Sequence, residues 1–158
     1  MRSRNYLFFL LISFFTLSLS AQDFISLKWQ TPTVVHPLSF DDALFISGSS
    51  LPLYIKNFDL GEDYASYTYK VKIEYPEFQS LSKKDIAFIS ETKETLDAYP
   101  KADTRLVVSA GKGILEASFL PLVYSNGEYQ RINSFKLTLE KTAVMQKRTS
   151  SKRHAPGG

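Results

Sequence analysis

The sequence predicts an all-β fold, an antiparallel β-sandwich whose C-terminal part is a three-stranded meander. Three observations predict it. Tyr67, Tyr69, Val71, Ile73 and Tyr75 alternate with Thr68, Lys70, Lys72 and Glu74, a period of two that a helix would scatter round its circumference. Two alternating apolar runs flank Ser125-Asn126-Gly127, a hairpin signal, and Leu106-Val107-Val108 precedes them across Ala110-Gly111-Lys112-Gly113. Apolar runs of strand length recur between turn residues, and no stretch carries a long helical pattern.

Taken in order, the chain opens with Arg2 and Arg4, followed by an apolar run from Tyr6 to Leu19. Ser18-Leu19-Ser20-Ala21 then supplies small residues for cleavage. Residues 1–21 are expected to be an export signal, cut between Ala21 and Gln22. The run falls short of the roughly 20 residues that span a bilayer, which favours a cleaved signal over an anchor. In Phe24 to Trp29, Ile25, Leu27 and Trp29 share one side of a first strand. Pro32 and Pro37 interrupt the next stretch, Phe40 to Phe45 is ambiguous, and Gly48-Ser49-Ser50 reads as a loop. Leu51 to Ile55 reads as a short strand, at an edge because of Pro52. Pro76 is expected to end the strand that begins at Tyr67. Ser82 to Asp85 fits the cap of a short helix through Ile86, Phe88 and Ile89, and a loop or two edge strands fit the region up to Tyr99 as well.

The hairpin register follows from parity. Leu115, Ala117, Phe119 and Val123 share one face of the outgoing strand. Phe135, Leu137 and Leu139 share one face of the return, opposite Lys136, Thr138 and Glu140. A two-residue loop would pair Phe119 with Ser134 and mix the faces. A three-residue loop at Ser125, Asn126 and Gly127 matches Leu115 with Leu137 and Ala117 with Phe135, with Gly127 left-handed beside a bulge. Pro121 belongs at a bulge or an edge. Residues 22–142 form the sandwich domain, and 143–158 form a basic tail. Apart from Val144 and Met145, this tail has too little apolar surface to order itself. Its dibasic pairs, Lys147-Arg148 and Lys152-Arg153, are candidate processing sites.

Composition excludes several function classes. The sequence has no cysteine, so a lipid-modified N-terminal Cys, disulfides, thiolate metal sites and a Cys nucleophile are all absent. An exported domain without disulfides must rely on its core, and the chain after Ala21 is long enough for one. The net charge of +3 is concentrated at the two ends, so no basic face for nucleic acid is indicated. His36 and His154 are the two histidines, too few for a transition-metal site. The pairs Asp41-Asp42 and Glu62-Asp63 lack the alternating ligands of a calcium loop and read as solvated loop caps. Ser109, Ser118 and Ser134 have neither a nucleophile-elbow motif nor a histidine partner. Gly111-Lys112-Gly113 is a turn, too short to cradle phosphate. The aromatics Tyr54, Phe58, Tyr64, Tyr67, Tyr69 and Tyr75 read as core and cross-strand pairs. No cofactor is predicted.

Four stretches carry a resemblance. They are the signal ending Ser20-Ala21-Gln22, the run Phe24 to Trp29, Leu51-Pro52-Leu53-Tyr54, and Ser118-Phe119-Leu120-Pro121-Leu122-Val123-Tyr124-Ser125-Asn126-Gly127-Glu128-Tyr129, continuing to Ser134-Phe135-Lys136-Leu137. The last is the most specific. With them the chain resembles, over most of Gln22 to Glu140, the N-terminal propeptide-like region of the type IX secretion system sortase of Bacteroidota, in the gingipain-type cysteine peptidase family. The resemblance implies a β-rich domain ahead of a caspase-like catalytic domain with a His/Cys dyad. The whole family protein removes sorting signals from exported cargo and attaches the cargo to surface lipopolysaccharide. No catalytic residue carries over to this chain, since it has no Cys. It looks like a truncated or split gene product, or a free-standing prodomain, and it ends in Pro156-Gly157-Gly158 without a closing element. The expected function is thus a non-catalytic prodomain, chaperone or positioning module for a peptidase domain, in cis or in trans, with outer-membrane secretion components as further partners. The expected location is the periplasm, outer membrane or cell surface. The alternative is a stand-alone exported β-sandwich that binds a surface protein or glycan through exposed tyrosines.

Overall fold

The computed structural model describes residues 24–145. The predicted signal with its cut at Ala21 and Gln22, and the pairs Lys147-Arg148 and Lys152-Arg153, lie outside the described residues. The alternating segments become strands: β1 (Ile25–Ser26), β2 (Tyr54–Gly61), β3 (Tyr67–Ser80), β4 (Asp103–Ser109), β5 (Lys112–Phe119), β6 (Leu122–Ser125) and β7 (Glu128–Ala143). One α-helix, α1 (Lys83–Thr92), stands between β3 and β4. Two antiparallel sheets result. One runs β1-β7-β3, with β6 also paired to β7, and the other runs β2-β5-β4. The fold is all-β and sandwich-like. Leu115, Ala117 and Phe119 of one sheet pack against Val71, Ile73, Phe135 and Leu137 of the other in a single buried cluster. Among the described residues, no helix is long and apolar enough to cross a membrane.

The pairing of the C-terminal strands differs from the expected meander. β5 does not pair with β7. It pairs with β4 on one side and β2 on the other, placing Leu115 opposite Leu106 and Phe58. Leu137 meets Ile73, and β7 takes β6 as its hairpin partner. The chain changes sheets at Leu120-Pro121, where Pro121 is fully buried. Phe119 and Phe135 therefore touch across the sandwich, with ring centroids 5.0 Å apart and planes at 87°. Both predicted apolar faces are correct, but they meet face to face between sheets and not side by side in one ladder.

The hairpin loop is corrected by the same fact. Ser125 pairs with Glu128, so the loop is the two residues Asn126 and Gly127, with φ of 53° and 76°. Positive φ at both central positions is the type I′ turn, whose twist suits the flanking strands. The parity conflict that required a third residue vanishes once β6 is separated from β5. Ala110-Gly111 closes the β4–β5 hairpin in the same way, with φ of 50° and 74° and Ser109 opposite Lys112.

Pro76 does not end β3. The ladder with β7 shifts between Glu74 and Glu77 and shifts again between Glu77 and Phe78. The first irregularity places an extra residue on β3, at Tyr75 with φ 52° and Pro76, and the second places one on β7. The two offset each other, so the register beyond them is the register before them. A bulge needs no N–H from Pro76, which is why the strand survives it. At the far end β7 continues to Ala143, and the Val144 N–H bonds the Ser66 carbonyl at 2.9 Å. Ordered pairing therefore extends two residues past the predicted domain end.

The predicted first strand is reduced to β1 and a bridge between Trp29 and Phe40. Of the arrangements the sequence left open after Ser82, the short helix forms. The Ser82 side chain accepts from the Asp85 N–H, Lys93 closes the end in a left-handed conformation, and Ile89 is buried. Helix α1 covers a second apolar cluster of Leu38, Leu51, Leu81, Ile89, Leu96 and Leu122 at one end of the sandwich.

Candidate interaction surface

The titratable residues do not converge. Among the described residues, no group of three or more His, Cys, Asp or Glu is placed to hold a metal ion. The His36 ring stacks on Phe45, 4.5 Å between centroids. Asp41 accepts a hydrogen bond from Gln30 at 2.9 Å, and Asp42 sits in a turn at φ 64°. Glu62-Asp63 lies between β2 and a single 3-10 turn at Tyr64–Ser66. Ser118 lies in β5 opposite Ile55 and Asp103, and Ser134 lies in β7 opposite Ser26 and Glu77. No histidine is in the ladder beside either.

The tyrosines read as core and cross-strand pairs are split. Tyr54 is half-buried and packs on Phe119 and Phe135, with centroids 5.4 and 5.1 Å away. Burial pushes its hydroxyl pKa above the ordinary tyrosine value. Tyr67 carries the Lys141 ammonium 4.5 Å from its ring centroid, and the Tyr69 hydroxyl donates to the Tyr64 carbonyl at 3.0 Å. Tyr75, by contrast, is exposed on the bulge, 6.4 Å from Phe24.

The side of the sandwich where β3 overlies β4 is open. Both are outermost strands of their sheets. A groove of about 360 Å³ runs between them, lined by Tyr69, Val71 and Ile73 on one wall and Tyr99, Ala102 and Thr104 on the other. The Tyr99 hydroxyl donates to the Ile73 carbonyl at 3.3 Å. Lys72 is paired with Glu140 at 2.6 Å, and that hydrogen bond and charge raise the Lys72 pKa. Lys70, Glu74 and Lys101 also line the groove, so charges of both signs border it. Sequence reasoning missed this side. In sequence the run Leu106-Val107-Val108 reads as one strand of the meander, and its periodicity gives no sign of which strand lies outermost.

No family model matches the chain, and no curated protein or solved structure matches it either.

Proposed function

We propose that the chain is a non-catalytic domain serving a gingipain-type cysteine peptidase of the sortase kind, as prodomain, chaperone or positioning module. The observation that carries this reading is where the resembling residues fall. Phe119, Leu122, Val123, Phe135 and Leu137, all within the most specific stretch, are buried, and Phe119 and Phe135 hold the two sheets together. Core positions are constrained by packing with all their neighbours, so a likeness there speaks for a shared domain more than for a borrowed loop. With no cysteine the chain supplies no thiol nucleophile. In this reading the peptidase chemistry belongs to the partner domain, and the setting is the periplasm, outer membrane or cell surface.

The test is to add the full chain to the cognate peptidase and record both peptidase activity and the yield of active enzyme on refolding. Inhibition or improved refolding is expected. No binding, with neither quantity changed, removes the reading. The glycan-binding alternative would use Tyr67 and Tyr69, but Lys141 already covers the Tyr67 ring and the Tyr69 hydroxyl is bonded within the chain.

A further inference from the structure

We propose that Arg131 and Asn133, on the outer face of the β1-β7-β3 sheet, form a recognition point for a carboxylate, carried by a small acid or by an acidic side chain. This inference is independent of the peptidase reading.

Alternation fixes the face. Ile132 is buried in the core between the sheets, so its neighbour Arg131 points outward. Gln79 lies opposite Arg131 in the ladder and shares that face. Leu122, opposite Arg131 on β6, belongs to the cluster under α1, so Arg131 stands at the rim of that cover. The guanidinium is already held there. Its carbon is 5.3 Å from the centre of the Trp29 ring, and its Nε and Nη2 donate to the Gln79 Oε1 at 3.1 and 2.9 Å. The Asn133 Nδ2 donates to the same oxygen at 3.0 Å. Asn133 reaches it because it is the extra β7 residue of the second bulge: Ile132 and Ser134 face the consecutive residues Phe78 and Glu77. A bulge re-aims a side chain, and this one sets a second donor beside Arg131.

Donors outnumber acceptors at this point. An amide oxygen has two lone pairs, yet three N–H groups converge on the Gln79 Oε1. The Nη1 end of the guanidinium donates to no other protein group among the described residues. Arg131 is partly buried, and a partly buried cation is ordinarily paired with an anion. Here its acceptor is a neutral amide. The two ion pairs among the described residues, Lys72–Glu140 and Arg105–Glu116, lie elsewhere. The ring below and the amide beside it fix the fork, so a ligand need not order it.

The neighbouring charges select the ligand. On the same face Lys136 lies opposite Glu74, and Lys28 accepts the Asp41 N–H at its carbonyl, so each lysine has an acid beside it. Glu77, two residues before Gln79 on β3, is the remaining acid, and it stands outside ion-pair distance of Arg131. A phosphate dianion would meet Glu77 without a second unmatched cation. A carboxylate brings one charge and two oxygens in a plane, which the free end of the fork matches with parallel N–H bonds. The second N–H of the Asn133 amide supplies a further donor.

The experiment titrates the isotopically labelled full chain at constant ionic strength and follows the side-chain N–H signals of Arg131, Asn133 and Trp29 by NMR. The probes are acetate, a capped glycine-glutamate-glycine peptide, the same peptide with glutamine, and inorganic phosphate. Saturable shifts are expected with acetate and the glutamate peptide, at dissociation constants of about 1–10 mM, and none with the glutamine peptide. Acetate and the glutamate peptide binding alike assigns the site to small acids, and a peptide preference of about tenfold assigns it to acidic side chains. Arg131→Lys keeps the charge but loses the fork, and should weaken binding at least about fivefold. Gln79→Glu, at an exposed position, sets a carboxylate of the chain itself on the same donors and should abolish binding with the fold intact. Absence of saturable shifts, equal response to the glutamine peptide, tighter binding of phosphate, or Gln79→Glu binding as the unaltered chain does overturns the proposal.

Discussion

Single residues carry much of this fold's geometry. Gly113 lies in β5 where the 3-10 turn crosses from one sheet to the other, and a Cβ there would come within 2.5 Å of Tyr64 Cβ and Cγ. Those atoms are the root of the side chain, close to the backbone, so they have little room to yield. Gly113→Ala is expected to destabilise by about 1–3 kcal/mol, read as a lower urea midpoint with an unchanged m-value. Ala110 presents the opposite case. At φ 50° it occupies the left-handed region, which costs an L-residue roughly 1–2 kcal/mol and which Asn tolerates better. Ala110→Asn should therefore raise the midpoint, by about 1 kcal/mol at most. A lower midpoint would show that the alanine methyl makes a contact worth more than the strain. Neither effect was readable in the sequence. Gly113 and Ala110 stood there together as a turn, and only the position of Tyr64 and the φ angle separate their roles.

At the scale of elements, alternation was legible and pairing was not. The buried face of β5, with Leu115, Ala117 and Phe119, follows from a period of two, as does the buried face of β7. Which strands pair depends on where the chain changes sheets, and Leu120-Pro121 looks the same in sequence whether it forms a bulge in one strand or a crossing between two sheets. The helix was legible as one of several arrangements, because its cap is a local interaction between Ser82 and Asp85. The β6–β7 turn offers a direct check on the corrected loop. Both of its residues have positive φ, so Gly127→Ala should cost about 1 kcal/mol, whereas Asn126→Gly should be near neutral. In the three-residue arrangement Asn126 would have negative φ, and Asn126→Gly would then be destabilising. Thermal unfolding of the two variants separates the arrangements.

At the scale of the whole molecule, an aromatic group is part of the core that joins the two sheets. Phe135 is fully buried and meets Phe119 and Tyr54 edge to face, at 5.0 and 5.1 Å. Phe135→Ala should cost about 3–5 kcal/mol, enough to leave a domain of this size largely unfolded in mild denaturant. The pH response is also a property of the whole. Tyr54 is raised by burial, Tyr69 by burial and then by the Asp63 and Tyr67 charges, and Lys72 by its bond to Glu140. All three hold their protons more tightly in the folded chain. Above about pH 10 the unfolded chain therefore binds fewer protons than the native one, and stability falls as pH rises. Unfolding midpoints should drop between about pH 9 and pH 11. Tyr54→Phe, which keeps the ring, should make that drop shallower while leaving the midpoint at pH 7 nearly unchanged.

The sequence by itself determined the all-β class, the apolar faces and the absence of thiol chemistry, because each of these depends on residue type or on spacing along a few consecutive positions. The tertiary structure alone decided that β5 and β7 face each other across two sheets and that paired bulges carry β3 past Pro76. It also decided that β4 lies outermost with Leu106 and Val108 uncovered. Those facts depend on which distant segments become neighbours, and hydrophobic periodicity is the same for a strand at the centre of a sheet and for one at its open edge.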